Sequence, residues 1–292
     1  MKNRLARQSF LKPESDALLG AAKVALVGLG GGGSHIAQLL AHVGVRNFVL
    51  IDPDVVEDTN LNRLVGATAA DVARATRKTD VAERLIKGIN PKARVINVSE
   101  RWQERAELLR DCTAIFGCVD TFADRAQLEV AARRYLIPYL DLGMDVHRLG
   151  DDYCIAGQVI LSSPGELCLR CLGFITDELL AREAARYGAA GGRPQVVWPN
   201  GLLASAAVGL FIQLVTPWSR NPVATAYLEY DGNSHTVKEC SRLTIMRERV
   251  CHHFDSLDNV GDPFWRSRSK TPPKPAPSHL RRLLSYFHVR LL

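Results

Sequence analysis

The chain has 292 residues, of which 47% are hydrophobic, 23% charged and 7% aromatic. That composition describes a globular protein with a full core and excludes a disordered or fibrous chain. The net charge is +6, but residues 263–292 hold seven Lys/Arg and no acidic residue. The 31 Asp+Glu therefore face only 30 Lys+Arg in residues 1–262, a balance of −1. The basicity belongs to the tail, so the body makes no electrostatic claim on nucleic acid. No run reaches the roughly 18 consecutive apolar residues of a membrane span. Residues 1–8 lack the apolar core of a signal peptide. A cytoplasmic protein without a membrane partner is expected.

Residues 1–20 read as a short arm or helix ending near Gly20. The Val-rich run Lys23–Leu29 has the continuous apolar character of a buried parallel strand. A glycine run follows, then a helical stretch over Ser34–His42 and a second strand over Asn47–Ile51. Strand, glycine turn, helix and strand within about 30 residues make a βαβ unit. Lys78–Ile89 places Val81, Leu85 and Ile89 on one helical face. Strands are predicted over Ala93–Val98, Thr113–Val119 and Ile137–Leu140, with a helix over Phe122–Tyr135. The alternation implies an α/β fold with a doubly wound, mainly parallel sheet. A strand over Tyr153–Leu161, a helix over Glu178–Tyr187 and a loop over Ala189–Pro194 come next. A strongly apolar helix over Leu202–Leu214 precedes a hairpin of Ala224–Tyr230 and His235–Cys240. Residues 263–278 carry five prolines and read as a linker. Residues 279–292 form a basic amphipathic pattern. The domains expected are an arm (1–20), a main body (21–262) and a tail (263–292).

Gly28-x-Gly30-x-x-Gly33 follows a predicted strand and opens a helix. Glycines there let the backbone approach phosphates, and the helix N-terminus offers N–H donors to anionic oxygens. Asp52 ends the second strand, where a carboxylate accepts hydrogen bonds from ribose hydroxyls. The chain continues through Asp54 to Asn60-Leu-Asn-Arg63. This polar cluster beyond the ribose carboxylate suits a triphosphate better than a nicotinamide, since a guanidinium is planar and always charged.

Together, Gly28–Gly33, Asp52-x-Asp54-x-Val and Asn60-Leu-Asn-Arg63 resemble the ThiF/MoeB/HesA family, prokaryotic relatives of ubiquitin-activating enzymes. The resemblance covers roughly residues 4–254. It implies an enzyme that binds ATP and Mg²⁺, adenylates the C-terminal glycine of a ubiquitin-like or sulfur-carrier protein, and works as a homodimer. Carried over residue by residue, it makes Arg7, in Arg4-Leu-Ala-Arg7-Gln8, a finger acting on the partner subunit's nucleotide. Asp52 matches the ribose ligand, with Asp54 beside it, and Asn60 and Arg63 match the phosphate-binding pair. Lys78 matches the family lysine, with Arg77 as its competitor. Asp120, in Cys118-Val-Asp120-Thr-Phe-Ala-Asp-Arg125, matches the Mg²⁺ carboxylate. In this element Arg125 orders the loop and Asp124 is a helix-start charge.

Cys168-x-x-Cys171 resembles the first half of the family's zinc site. Cys251 takes the place of the third ligand, and His253 or His252 replaces the missing fourth cysteine, giving a Cys₃His set. In relatives that pass their substrate onward, the crossover loop carries a nucleophilic cysteine. Here residues 173–199 contain none. Cys112, Cys118, Cys154 and Cys240 fall in or beside predicted strands and read as buried residues. The expectation is an enzyme that stops at the acyl-adenylate or hands it to a partner's thiol, the alternative being that one cysteine of the zinc pair is not metal-bound and acts instead. The segment from Val196 resembles family members found beside a ubiquitin-like protein, a conjugating enzyme and a JAB-type peptidase, some linked to antiphage defence. Sulfur transfer for thiamin or molybdopterin and the tRNA-modifying dehydratase branch are the alternatives.

Overall fold

A computed structural model describes residues 4–185, 194–221, 223–254 and 260–261. The expected linker, the amphipathic tail and most of the Ala189–Pro194 loop lie outside these residues. The arm forms a 3₁₀ turn over Ala6–Leu11 followed by α1 (Ser15–Ala21). Then come β1 (Lys23–Val27), α2 (Gly31–Val43), β2 (Asn47–Ile51), α3 (Ala69–Ala73), α4 (Lys78–Ile89) and β3 (Arg94–Val98). A 3₁₀ stretch over Trp102–Leu109 leads to β4 (Ala114–Gly117), α5 (Phe122–Arg134), β5 (Tyr139–Leu149) and β6 (Asp152–Ser162). The described chain closes with α6 (Asp177–Ala185), α7 (Val197–Val215), β7 (Thr225–Asp231), β8 (Thr236–Glu239) and α8 (Ser241–Met246).

The strands form one eight-stranded sheet in the order β3-β2-β1-β4-β5-β6-β7-β8. Strands β1 to β5 are parallel, and β6, β7 and β8 add antiparallel neighbours. The strand order reverses between β1 and β4, so the crevice beyond their C-terminal ends is where this topology places a ligand. Period-two alternation sorts the side chains into two layers. Val24, Leu26, Phe48, Leu50, Phe116, Leu140 and Leu161 face α2, α4 and α7. Val27, Val49, Ile51, Ile115, Tyr139 and Ile160 face α5 and the segment around Leu169.

Three elements differ from the sequence reading. The helix α2 starts at Gly31, so Gly31–Gly33 are its first turn and not a loop before it. Tertiary packing explains why three poor helix formers sit there: a Cβ on Gly31, Gly32 or Gly33 would overlap Asn200, Leu142 or the Gly28 carbonyl. The strand read as Ile137–Leu140 is the 11-residue β5, which pairs with β6 as far as Leu149↔Asp152. Polar Asp141, Asp145, His147 and Arg148 hid it from an apolar-run criterion. The helix α7 begins at Val197, with Pro199 tolerated in its first turn. It is long and apolar enough by composition to cross a membrane, although Leu203, Ala204, Ala207 and Phe211 pack into the core.

Candidate active site

A cavity of about 480 Å³ opens at the C-terminal ends of β1, β2, β4 and β5. It is lined by Gly28, Gly30, Asp52, Asp54, Arg63, Lys78, Asp120, Arg125, Gly143, Gln195 and Asn200, among others. Gly28 leaves β1 at φ +87°, and a Cβ there would overlap the Cys118 carbonyl. A Cβ on Gly33 would overlap the Gly28 carbonyl, so Gly33 supports the turn from behind and does not line the cavity. A Cβ on Gly30 would meet nothing within 4 Å. The turn thus leaves open space in front of the N-terminus of α2, whose first N–H groups favour an anion there.

Asp52 is 4% exposed. Its Oδ2 accepts from Leu29 N at 2.6 Å and its Oδ1 from Asp54 N at 2.9 Å. Burial raises its pKa above the usual carboxylate value, against the pull of Lys78 and the two backbone donors. The carboxylate is therefore fixed in orientation at the end of β2, with a lone pair on each oxygen left for a diol. Lys78 lies 26 positions further along the chain, and a backbone clasp returns it to Asp52. Val56 N donates to Thr76 O at 2.8 Å, Val55 bridges Arg77, and Lys78 N donates to Asp54 O at 3.1 Å. Lys78 Nζ meets Asp54 Oδ2 at 2.7 Å in the cavity wall. Arg77 instead donates to Pro53 O at 2.8 Å and lies outside the lining, so the geometry favours Lys78 of the two.

Arg63 lines the cavity and is aimed by its bonds to Thr59 O at 2.6 Å and Asn62 Oδ1 at 3.0 Å. Asn60, read from the sequence as its phosphate-binding partner, is buried instead. Its Oδ1 accepts from Glu57 N at 3.1 Å and it does not line the cavity, so it shapes the turn that presents Arg63. Ser34 ties that loop to the glycine turn, accepting from Val65 N and donating to Gly31 O, both at 3.0 Å.

Asp120 lies exposed on the β4 side of the cavity. Asp124 and Thr121 cap α5 reciprocally, with Asp124 N donating to Thr121 Oγ1 at 3.0 Å. Arg125 is buried and ion-paired with the fully buried Asp141, which also accepts from Tyr139 OH at 2.9 Å. Arg125 lines the cavity, and Asp141 and Tyr139 hold it from outside the lining. Sequence reasoning assigned Arg125 to loop order but missed Asp141, whose only signal was a charge inside an apolar run. Arg7 is exposed on the arm. Arg4 and Gln8 hook that arm to Ile89 O, Ala41 O and Val43 O, at the C-terminal ends of α4 and α2. A 13-residue helix is about 20 Å long, so Arg7 lies far from its own cavity.

A second cluster lies on the α5 side of the sheet. The ligand atoms of Cys168, Cys171, Cys251 and His253 all fall within 4.8 Å of one another. Cys168 Sγ–Cys171 Sγ is 3.5 Å, and His253 Nδ1 lies 3.5 Å and 3.3 Å from these two sulfurs. A zinc tetrahedron with bonds of about 2.3 Å to sulfur and 2.0–2.1 Å to nitrogen has edges of roughly 3.5–3.8 Å, so the donor set fits that ion. His252 stacks on His253 at 4.4 Å and is not among the four donors. Glu129 and Arg133 of α5 brace the loop, Glu129 accepting from Leu169 N at 3.0 Å and Arg133 donating to Leu167 O at 3.0 Å.

The chain is 34% identical over 162 residues to the SAMP-activating enzyme E1 of Haloferax volcanii, covering 55% of this chain and 56% of that protein. It is 31% identical over 178 residues to the sulfur carrier protein ThiS adenylyltransferase of Bacillus subtilis, covering 59% and 51%. The chain thus spans about half the length of the curated relatives it matches. The crystal structure of Escherichia coli MccB with ATP superposes with a TM-score of 0.65 at 21% identity over 82% of this chain and 71% of that one, a likeness of fold. A model of the ThiF family matches residues 2–250, and the chain belongs to that family.

Proposed function

We propose that this chain is an ATP-dependent adenylyltransferase that activates the C-terminal glycine of a ubiquitin-like or sulfur-carrier protein. The observation that carries the reading is the convergence of Asp52, Arg63, Lys78, Asp120 and the open Gly30 turn on one cavity. In this reading Asp52 holds the ribose, and the α2 N-terminus, Arg63 and Lys78 neutralise the triphosphate. Asp120 supplies the carboxylate for Mg²⁺, which prefers one or two carboxylates plus phosphate oxygens. The substrate carboxylate attacks the α-phosphorus in line and pyrophosphate leaves. Positioning and charge neutralisation do the work, and no covalent nucleophile is needed for this step. The Cys₃His cluster holds a structural zinc.

A homodimer completes the site in this proposal. The helix α7 carries no charged residue over its 19 positions, and Val197, Trp198 and Leu202 stay exposed. Phe10 and Trp218 meet edge-to-face at 6.3 Å beside its other end. An uncharged, half-exposed helix supports a second copy as its cover. Arg7, remote from its own cavity, would then serve the partner's nucleotide. We place the enzyme in a cytoplasmic ubiquitin-like conjugation system, with a conjugating enzyme downstream and antiphage defence as its setting. The match to a ThiS adenylyltransferase supports sulfur-carrier activation as the second reading.

The test is direct. ATP with Mg²⁺ should raise the melting temperature and NAD⁺ should not. Asp120→Ala and Arg63→Ala should abolish ATP–pyrophosphate exchange driven by a small glycine-terminated protein encoded beside this chain. Normal exchange in both variants would sink the assignment.

A further inference from the structure

The ends of three neighbouring strands fix the direction in which a nucleotide lies across the cavity. Strand β1 feeds the glycine turn and the N-terminus of α2, which favours phosphates. Asp52, read above as the ribose ligand, directly follows β2. Strand β3 pairs with β2 on the side away from β1, in the register Ile51↔Val98. Adjacent strands lie about 4.8 Å apart, so phosphate, ribose and base fall in turn beyond β1, β2 and β3. The base then meets the segment that leaves β3, where Arg101, Trp102 and Gln103 line the cavity. Beside them, Thr121 and Asp124 at the start of α5 line it too.

Gln103 is exposed, yet its amide is held in one orientation. Its Nε2 donates to Asp124 Oδ1 at 2.8 Å and to Gln127 Oε1 at 3.0 Å. Asp124 is itself fixed, because its Oδ2 accepts from Thr121 Oγ1 at 2.8 Å and its backbone N–H donates to the same oxygen at 3.0 Å. A carboxylate oxygen only accepts. Turning the amide over would set the Gln103 carbonyl oxygen against Asp124, so the nitrogen faces α5. Both amide N–H groups are then used, while Gln103 Oε1 has no donor among the described residues. Trp102 belongs to the α5-side apolar layer and its Nε1 is buried, so its ring offers no N–H to the cavity. The hydrogen-bonding edge presented to a base here is an acceptor held at a fixed angle.

We propose that Gln103 is the residue that selects the nucleotide base, its Oε1 accepting from the 6-amino group of adenine, and that Asp124 is the residue that positions its amide. The inference rests on the adenylation reading above. A 6-amino group donates and pairs with the Gln103 carbonyl oxygen. The 6-oxo group of guanine or hypoxanthine only accepts, so it would face a second acceptor with no proton between them. Leaving two polar groups unpaired in a site closed by the bound base is what rejects the wrong base. The selection is carried by one atom whose direction α5 sets, 20 residues further along the chain.

The experiment measures binding of three triphosphates to the full-length chain by calorimetry in the presence of Mg²⁺. ATP carries the 6-amino group, ITP replaces it with an oxo group, and purine riboside triphosphate replaces it with hydrogen. The wild type should bind ATP about tenfold more tightly than ITP, with purine riboside triphosphate between them. Gln103→Leu should weaken ATP about tenfold and leave ITP within about twofold, so that the two bind alike. Asp124→Asn can offer its own amide N–H to Gln103 Oε1, which lets the Gln103 amide turn over, and the preference for ATP should narrow. A side chain with a merely structural role would weaken ATP and ITP by the same factor and keep their ratio. Equal binding of ATP and ITP to the wild type, or an unchanged ratio in Gln103→Leu, overturns the proposal. Absence of binding by all three triphosphates would overturn the adenylation reading and this inference with it.

Discussion

Replacing Asp141 with alanine should be among the most damaging single changes beside the cavity, because Asp141 holds the lining residue Arg125. Asp141 is 0% exposed, and Arg125, its ion-pair partner, is 8% exposed. Asp141 also accepts from Tyr139 OH at 2.9 Å and Gln158 Nε2 at 3.4 Å. Removing the carboxylate leaves a buried guanidinium without its counter-charge and a buried phenol without its acceptor. Breaking one partner of a buried pair costs about 3–5 kcal/mol, and an orphaned hydroxyl adds about 1–3 kcal/mol before relaxation. A loss of about 4 kcal/mol corresponds to a fall in melting temperature of roughly 8–16 °C, at the 2–4 °C per kcal/mol of large domains. Urea unfolding followed by circular dichroism measures it. The double variant Asp141→Leu with Arg125→Met should recover most of the loss, because it removes the charge together with its partner. A loss below about 1 kcal/mol in Asp141→Ala, or a double variant as unstable as the single, would refute the claim that the pair is buried and mutually compensated.

Three further outcomes are expected. Elemental analysis should find about one zinc per chain and near none in Cys168→Ser, and under about 0.2 per wild-type chain would remove the zinc assignment. Gly33→Ala should cost more stability than Gly30→Ala, because only the first drives a methyl into the Gly28 carbonyl; equal thermal stability of the two variants would contradict the turn geometry. Asp71 is held by both terminal nitrogens of Arg84, each at 2.8 Å. The Arg84 side chain beside it keeps its carboxyl well below the usual carboxylate range. A depressed folded pKa contributes stability above the unfolded value of about 3.9 and loses it as pH falls toward the folded pKa. Arg84→Met should therefore lower stability at neutral pH and flatten its decline below about pH 4 in acid titrations of unfolding.

The sequence carried the Gly28–Gly33 and Asp52 side of the cavity because its parts are local. A strand, a glycine turn and a helix start lie within a dozen residues, and Asp52 ends the next strand; short loops then leave little freedom in where they meet. Lys78 and Asp120 were legible only through resemblance, since each returns to the cavity across a long stretch. The clasp of Val55–Val56 on Thr76–Arg77 that brings Lys78 back leaves no periodic signal. Asn60 was misplaced for a related reason: a polar side chain in a polar loop reads the same whether it faces a ligand or caps its own turn.

What the amino-acid order determined by itself is the alternation of elements, the glycine turn, the Asp52 position and the Cys-x-x-Cys half-site. Periodicity and backbone sterics act over a few residues and need no tertiary partner. The tertiary structure decided the rest. Pairing across 80 or more residues brought Cys251 and His253 to Cys168 and Cys171. It buried Asp141 under Arg125 and carried β5 nine residues beyond Leu140. It also left Cys154, read from its strand as buried, only half-buried, opposite His147. Strand register is a long-range choice made by the partner strand, and a single strand's sequence does not contain it.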